Sequence, residues 1–193
     1  MKTVFFDIDT QLDFVTPSGA LYVPKAERIL PTVRALNRYA AAEGIPVIST
    51  TDAHAENDPE FTQWTPHCIA GTLGQHKAEA TLLDRRAIAP NRGVPPSIEG
   101  VQQVILEKQT IDVFDTVTVK LLLDRLEVES AVLYGVVTEI CVLIAARGLL
   151  QRGYRVTVVT DAVETLSADA SRHALEEIRA AGGRLTTASS LLV

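Results

Sequence analysis

Three residues far apart in the chain share one setting. Asp9, Lys108 and Cys141 each follow a short apolar run, at Thr3 to Ile8, Val101 to Glu107 and Ala131 to Val136. An acid, an ammonium and a thiol are together the working parts of a nucleophilic acyl-transfer site. Cys141 would attack, Asp9 would take the thiol proton and return it to the leaving group, and Lys108 would hold both electrostatically. Cys141 ends the stretch Gly135-Val136-Val137-Thr138-Glu139-Ile140-Cys141, and a helical pattern continues through Val142, Ala145, Ala146 and Leu149. Thr138 is suited to N-cap that helix. Cys141 would then lie in the first turn, at the positive end of the helix dipole, where a thiolate is favoured. Each residue alone has an ordinary alternative, as a small buried hydrophobe, a turn cap or a solvated cation. The coincidence of all three is the signal.

A second constellation falls in a long polar stretch. Asp52 and His54 are two apart, so in extended backbone they project to one side. His67 follows in Trp64-Thr65-Pro66-His67-Cys68, with Glu60 between. A carboxylate, two imidazoles and an optional second carboxylate suit Zn²⁺, Mn²⁺ or Fe²⁺ and leave positions for water or substrate. The chain contains no H-E-x-x-H, G-x-S-x-G, P-loop or G-x-G-x-x-G pattern, which removes the zincin, serine hydrolase, NTPase and dinucleotide readings.

These residues need a frame that gathers them. Thr3 to Ile8, Ile45 to Thr51, Val101 to Glu107, Ala131 to Val136, Arg155 to Thr160 and Arg184 to Thr187 read as strands. Between them lie helices over Ala26 to Glu43, around Val119 to Leu126, from Thr138 to Gly153, and from Ser167 to Gly182-Gly183. Pro31 is acceptable if it falls in a first turn, Asp115 or Thr116 can cap the second helix, and Ser167 can cap the last. Gln11 to Pro24 reads as a loop. Ala53 to Ile98 is a long polar segment with a weak helical pattern around Leu82 to Arg86, and loops of that length are usually functional. Strands alternating with helices predict an α/β, three-layer α-β-α fold with a mostly parallel central sheet. In such a sheet, groups at strand ends meet at one edge, where ligands bind.

The 193 residues suffice for one domain, 1–193, with a site loop at about 52–98. Net charge is −6 and no Lys/Arg cluster is present, which argues against nucleic acid or an anionic membrane as partner. An acid at Asp7 interrupts the N-terminal apolar run too early for a signal peptide. No apolar stretch approaches a membrane span. Two cysteines, Cys68 and Cys141, make no disulfide framework and suit a reducing cytoplasm.

The ordered motifs resemble those of the isochorismatase-like cysteine hydrolases and, within them, the nicotinamidases. Asp9-Thr10-Gln11-Leu12-Asp13-Phe14 looks like the family's D-x-Q-x-D-F, and Asp52-Ala53-His54 like its metal-binding D-x-H. Trp64-Thr65-Pro66-His67-Cys68 followed by Gly71-Thr72-Leu73-Gly74 resembles W-P-x-H-C…G-T-x-G. Lys108 matches the catalytic lysine, and Gly135 to Val142 matches G-x-x-T-x-x-C-V around the nucleophile. The resemblance spans nearly the whole chain. It implies an isochorismatase-like, Rossmann-like topology and hydrolysis of nicotinamide to nicotinate and ammonia through a Cys141 thioester, a step of NAD salvage. It also implies a cis peptide at Val136–Val137, with Val137 and Cys141 N–H groups as the oxyanion hole, and a metal on Asp52, His54 and His67 that receives the pyridine nitrogen. Glu60 matches a position where some members supply a further ligand. Phe14 and Trp64 match residues that sandwich the ring; Ile140 and Phe114 fall at pocket positions but depart from the pattern, Ile140 standing where several members carry an aromatic residue or His and Phe114 roughly where others have a Tyr. Relatives are usually dimers or larger, so the resemblance implies a homo-oligomer. Another small carboxamide, ureide or carbamoyl compound is the alternative substrate, and a non-catalytic metal-binding homologue is a third reading.

Overall fold

The structure is a computed structural model that describes residues 2–91 and 94–192. Seven strands form one sheet: β1 (Thr3–Ile8), β2 (Val47–Asp52), β3 (Arg86–Ala89), β4 (Gln103–Lys108), β5 (Ser130–Gly135), β6 (Arg155–Val163) and β7 (Arg184–Thr186). Their spatial order is β3-β4-β2-β1-β5-β6-β7, and every pairing is parallel. Five helices accompany them among the described residues: α1 (Leu12–Val15), α2 (Leu30–Ala42), α3 (Val117–Arg125), α4 (Leu143–Gln151) and α5 (Ala168–Ala180).

Alternation along β1 divides the core in two. Val4, Phe6 and Ile8 pack with Val119, Leu122 and Leu123 of α3, with Ala145, Ala146 and Leu149 of α4, and with Ala174 and Ile178 of α5. Phe5 faces the other way and joins Val33, Leu36 and Ala40 of α2 and Tyr134 of β5. A parallel sheet needs this covering on both faces, and the three-layer expectation is met. Thr116 caps α3, Ser167 caps α5, and Pro31 falls in the first turn of α2, each as its residue type requires.

The order of strands reverses between β1 and β5, which makes that junction the switch point where α/β folds bind ligands. Register brings residues to it in pairs: Ile8 lies beside Gly135, and Asp52 beside Lys108. Gly135 is required there. Its φ is +117°, and a Cβ would come within 2.0 Å of the Ile8 carbonyl oxygen.

Four sequence expectations differ from the structure. The segment 53–98 carries the edge strand β3, and Leu82, expected to be helical, is extended. With only four residues, of which one is buried, β3 gives little periodic signal. Gln11 to Pro24 contains the one-turn helix α1. Ala26 to Glu43 begins as a 3₁₀ turn, Ala26–Ile29, before α2. Thr138 does not cap a helix. It opens a π-turn, Thr138–Val142, and its hydroxyl donates to the Glu164 carbonyl (2.8 Å). π-Turns are commonly found at functional sites.

Candidate active site

Four adjacent strands supply the polar groups. Asp9 follows β1 with φ +48°, Asp52 ends β2, Lys108 ends β4, and Cys141 sits in the π-turn after β5. All four are buried. The Lys108 ammonium is 3.0 Å from Asp9 Oδ2 and also pairs with Asp52 Oδ1. Thr50 donates its hydroxyl to Asp9 Oδ1 (2.6 Å), and the Asp9 N–H donates back to Thr50 Oγ1 (3.2 Å). Apart from the Lys108 ammonium, Asp9 Oδ2 has no hydrogen-bond partner among the described residues. Asp9 and Cys141 are close enough for each to influence the other's ionisation.

Electrostatics follow from this packing. Burial pushes the Asp9 carboxyl up, but Lys108 and the hydrogen bonds from Thr50, Lys108 and Cys141 outweigh it and hold Asp9 below the usual carboxylate range. Burial raises Asp52 to about 6, with Lys108 opposing and Asp9 adding to the rise. Lys108 loses by desolvation but gains more from Asp52 and Asp9, so it stays charged. The Cys141 thiol is pushed well up by burial, Lys108 opposes, and Asp9 and Asp52 add to the rise. This burial favours the thiol form, against the thiolate expected from a helix terminus. An ionised acceptor beside a protonated thiol is the arrangement in which Asp9 acts as base.

The sequence-predicted ligands converge. Asp52, His54 and His67 are buried and offer ligand atoms that all lie within 4.8 Å of one another. His67 Nδ1 bonds the Thr65 carbonyl (2.8 Å), which leaves Nε2 with its lone pair, and burial lowers the pKa of this imidazole. His54 Nδ1 lies 3.2 Å from Asp58 Oδ2, and its buried Nε2 has no protein partner among the described residues. A buried, unpartnered imidazole nitrogen beside a carboxylate and a second imidazole fits a divalent cation bound at about 2.0–2.2 Å per ligand. The Glu60 carboxylate, offered as a further ligand, is outside this group. It is half-buried in the pocket wall, and burial raises its pKa.

Two motif residues hold these segments together. Gln11 accepts from the Asp52 N–H (2.7 Å) and donates to the Asp52 and Gln75 carbonyls (2.8 Å each). Asp13 accepts from the Cys68 N–H (2.7 Å), next to His67. Gly74 is needed beside it, because a Cβ there would meet the Asp13 carboxylate at 2.2 Å.

The pocket over Cys141 is lined by Phe14, Trp64, Ile140, Val136 and Val137, all of them among the residues singled out from the sequence. Leu21, Val23, Ile111 and Leu166 complete it and were not anticipated. Phe114 is misplaced by the sequence reading. It packs on Gly148 of α4 beneath the Arg152 guanidinium, 3.9 Å from the ring centroid, and Ile111 takes the wall position instead. The Val136–Val137 peptide is cis, and the Val137 N–H, in the pocket wall, has no backbone acceptor among the described residues. Sequence reasoning also missed Thr50, Asp58 and the structural work of Gln11 and Asp13. Asp58, four residues after His54 in a metal-like loop, was the one with a readable spacing.

Comparison with known proteins agrees with this geometry. The isochorismatase domain model matches residues 3–190, and the chain belongs to that family. It is 27% identical to the nicotinamidase of Escherichia coli K12, over 93% of this chain and 92% of that protein. It is 28% identical to the nicotinamidase/pyrazinamidase of Mycobacterium tuberculosis H37Rv, over 94% and 97%. Among solved structures, the pyrazinamidase of Pyrococcus horikoshii in complex with zinc superimposes with a TM-score of 0.82 at 26% identity, covering 97% of this chain and 99% of that one. The protein is nicotinamidase-like and is a hydrolase acting on amide C–N bonds. No helix among the described residues is long and apolar enough to cross a membrane.

Proposed function

We propose that this protein is a metal-dependent cysteine amidohydrolase that converts nicotinamide and water to nicotinate and ammonia. One observation carries the reading: the buried Asp9–Lys108 pair lies close to Cys141, and Cys141 lines an apolar pocket together with Asp52 and His67 of the Asp52, His54 and His67 cluster.

Cys141 passes its proton to Asp9 and attacks the carboxamide carbon. The Val137 and Cys141 N–H groups receive the developing oxyanion, each such donor being worth about 3–4 kcal/mol in the transition state. Asp9 returns the proton to the departing ammonia, and the acyl group remains on sulfur. Asp9 then takes a proton from water as it attacks the thioester, and nicotinate leaves with the Cys141 thiol restored. Lys108 keeps Asp9 ionised at the start of each half-reaction. A divalent ion held by Asp52, His54 and His67 (zinc first, manganese or iron as alternatives) would supply Lewis-acid coordination to the ring nitrogen. Phe14 and Trp64 would flank the ring, with Ile140 and Ile111 at its edge. Both cysteines are free thiols, as a reducing cytoplasm maintains.

Ammonia release from nicotinamide, with and without a chelator, tests this. Chelator-sensitive release supports the proposal. Unchanged release in chelator removes the metal role, and an inert nicotinamide with turnover of another carboxamide or ureide transfers the activity to that substrate.

A further inference from the structure

Beneath the site lies a second buried ion pair that the reaction does not use. Asp7 is fully buried near the end of the apolar strand β1, and its carboxylate meets the ammonium of Lys77 at 3.2 Å. Thr10, Asn37 and Ser49 also donate to Asp7, at 2.7, 3.2 and 3.1 Å. Taking two charges out of water is expensive, and an apolar pair of similar volume often serves stability as well or better. Packing alone therefore does not account for this pair.

Where the ammonium goes is more specific. Lys77 Nζ donates to two backbone carbonyls, those of Asp7 (3.4 Å) and Thr50 (3.3 Å). Both belong to the strands whose ends carry Asp9 and Asp52. The Thr50 carbonyl also accepts from the Asp9 N–H, and the Thr50 hydroxyl donates to the Asp9 carboxylate. On its other side, Lys77 pairs antiparallel with Gln11, and Ala78 N–H bonds the Thr10 carbonyl (2.9 Å). We infer that Lys77 is a positioning residue for the reaction: paired with Asp7, it pins Thr50 against β1, and Thr50 in turn fixes the carboxylate of Asp9 toward Cys141. Asp9 stands outside regular strand geometry with a left-handed backbone, so its place depends on such bonds.

The test is the charge-balanced double variant Asp7→Asn/Lys77→Met of the full chain, loaded with zinc. Its kinetic arm rests on the amidase reading; a crystal structure of the same variant does not. The double variant is expected to melt within about 5 °C of the parent, to keep KM within about threefold, and to lose about 10- to 100-fold in kcat. The crystal structure is expected to show the Asp9 carboxylate moved off Lys108. A kcat within twofold of the parent, or Asp9 in its parental place whatever the rate, overturns the inference. So does a double variant that fails to fold, because the pair would then be required by the fold and not by Asp9. If the parent protein does not hydrolyse nicotinamide, the substrate assignment fails by itself, and the position of Asp9 in the variant still decides this proposal.

Discussion

Lys108 and Asp52 are register partners on neighbouring strands, and the ammonium of the first lies against the carboxylate of the second. The same ammonium is 3.0 Å from Asp9. One cation thus joins the proposed catalytic acid to a carboxylate of the candidate metal site. The shared contact separates two effects that a simple active-site lysine would confound.

In Lys108→Met, Asp9 keeps its burial but loses the charge that most opposes it, and its carboxyl rises. Turnover should fall about 10²- to 10⁴-fold, the usual worth of a well-placed acid–base group. Metal retention should hold or strengthen, since an ammonium beside a cation site repels the ion. Steady-state kinetics and elemental analysis of the dialysed protein check both. Full activity, or loss of metal in a folded variant, contradicts the assignment.

Asp58→Ala should loosen His54. Its carboxylate is 3.2 Å from His54 Nδ1 and is held by the Glu60 N–H (2.9 Å) and by Gln109 (2.8 Å). Removing such an orienting partner typically costs about 10- to 100-fold in metal affinity. Competition against a chelator of known affinity measures this, and an unchanged affinity would show that His54 needs no such support.

Gly135→Ala should destabilise by about 3 kcal/mol or more, because it combines a left-handed backbone with a buried clash. The added methyl would meet the Ile8 carbonyl oxygen at 2.0 Å. Urea unfolding followed by circular dichroism gives the value, and a loss under about 1 kcal/mol would mean that β1 and β5 separate easily.

The Cys141 thiol supplies the pH dependence. Burial raises it, with Asp9 and Asp52 adding to the rise against Lys108. A raised thiol pKa means that the protonated form prevails below it, so the nucleophilic thiolate grows in as pH rises. In the metal-free protein, alkylation of Cys141 by iodoacetamide should be slow at neutral pH and accelerate into the alkaline range. A rate that has already levelled off below neutral pH would show a resting thiolate.

The legible part of this site consists of residues tied to periodic elements. Asp9, Asp52, Lys108 and Cys141 follow strands whose apolar runs stand out, and a parallel sheet forces their ends together. His54 and His67 were legible by residue type. The supporting groups were not, because their contacts join positions unrelated by any local period: Thr50 to Asp9, Asp58 to His54, Lys77 to Asp7. Leu21, Val23 and Leu166 reach the pocket from unpatterned loops. Phe114 was misassigned because a short 3₁₀ turn, Val113–Asp115, aims it at α4 and gives its place in the wall to Ile111. The edge strand β3 was too short and too exposed to announce itself.

The proposed turnover depends on an acyl group carried by one sulfur. Intact-mass spectrometry of protein quenched in acid during nicotinamide turnover measures it directly. We expect a nicotinoyl adduct that peptide mapping places on Cys141 and that is absent, together with ammonia release, in Cys141→Ala. An adduct or sustained turnover in Cys141→Ala would contradict the account.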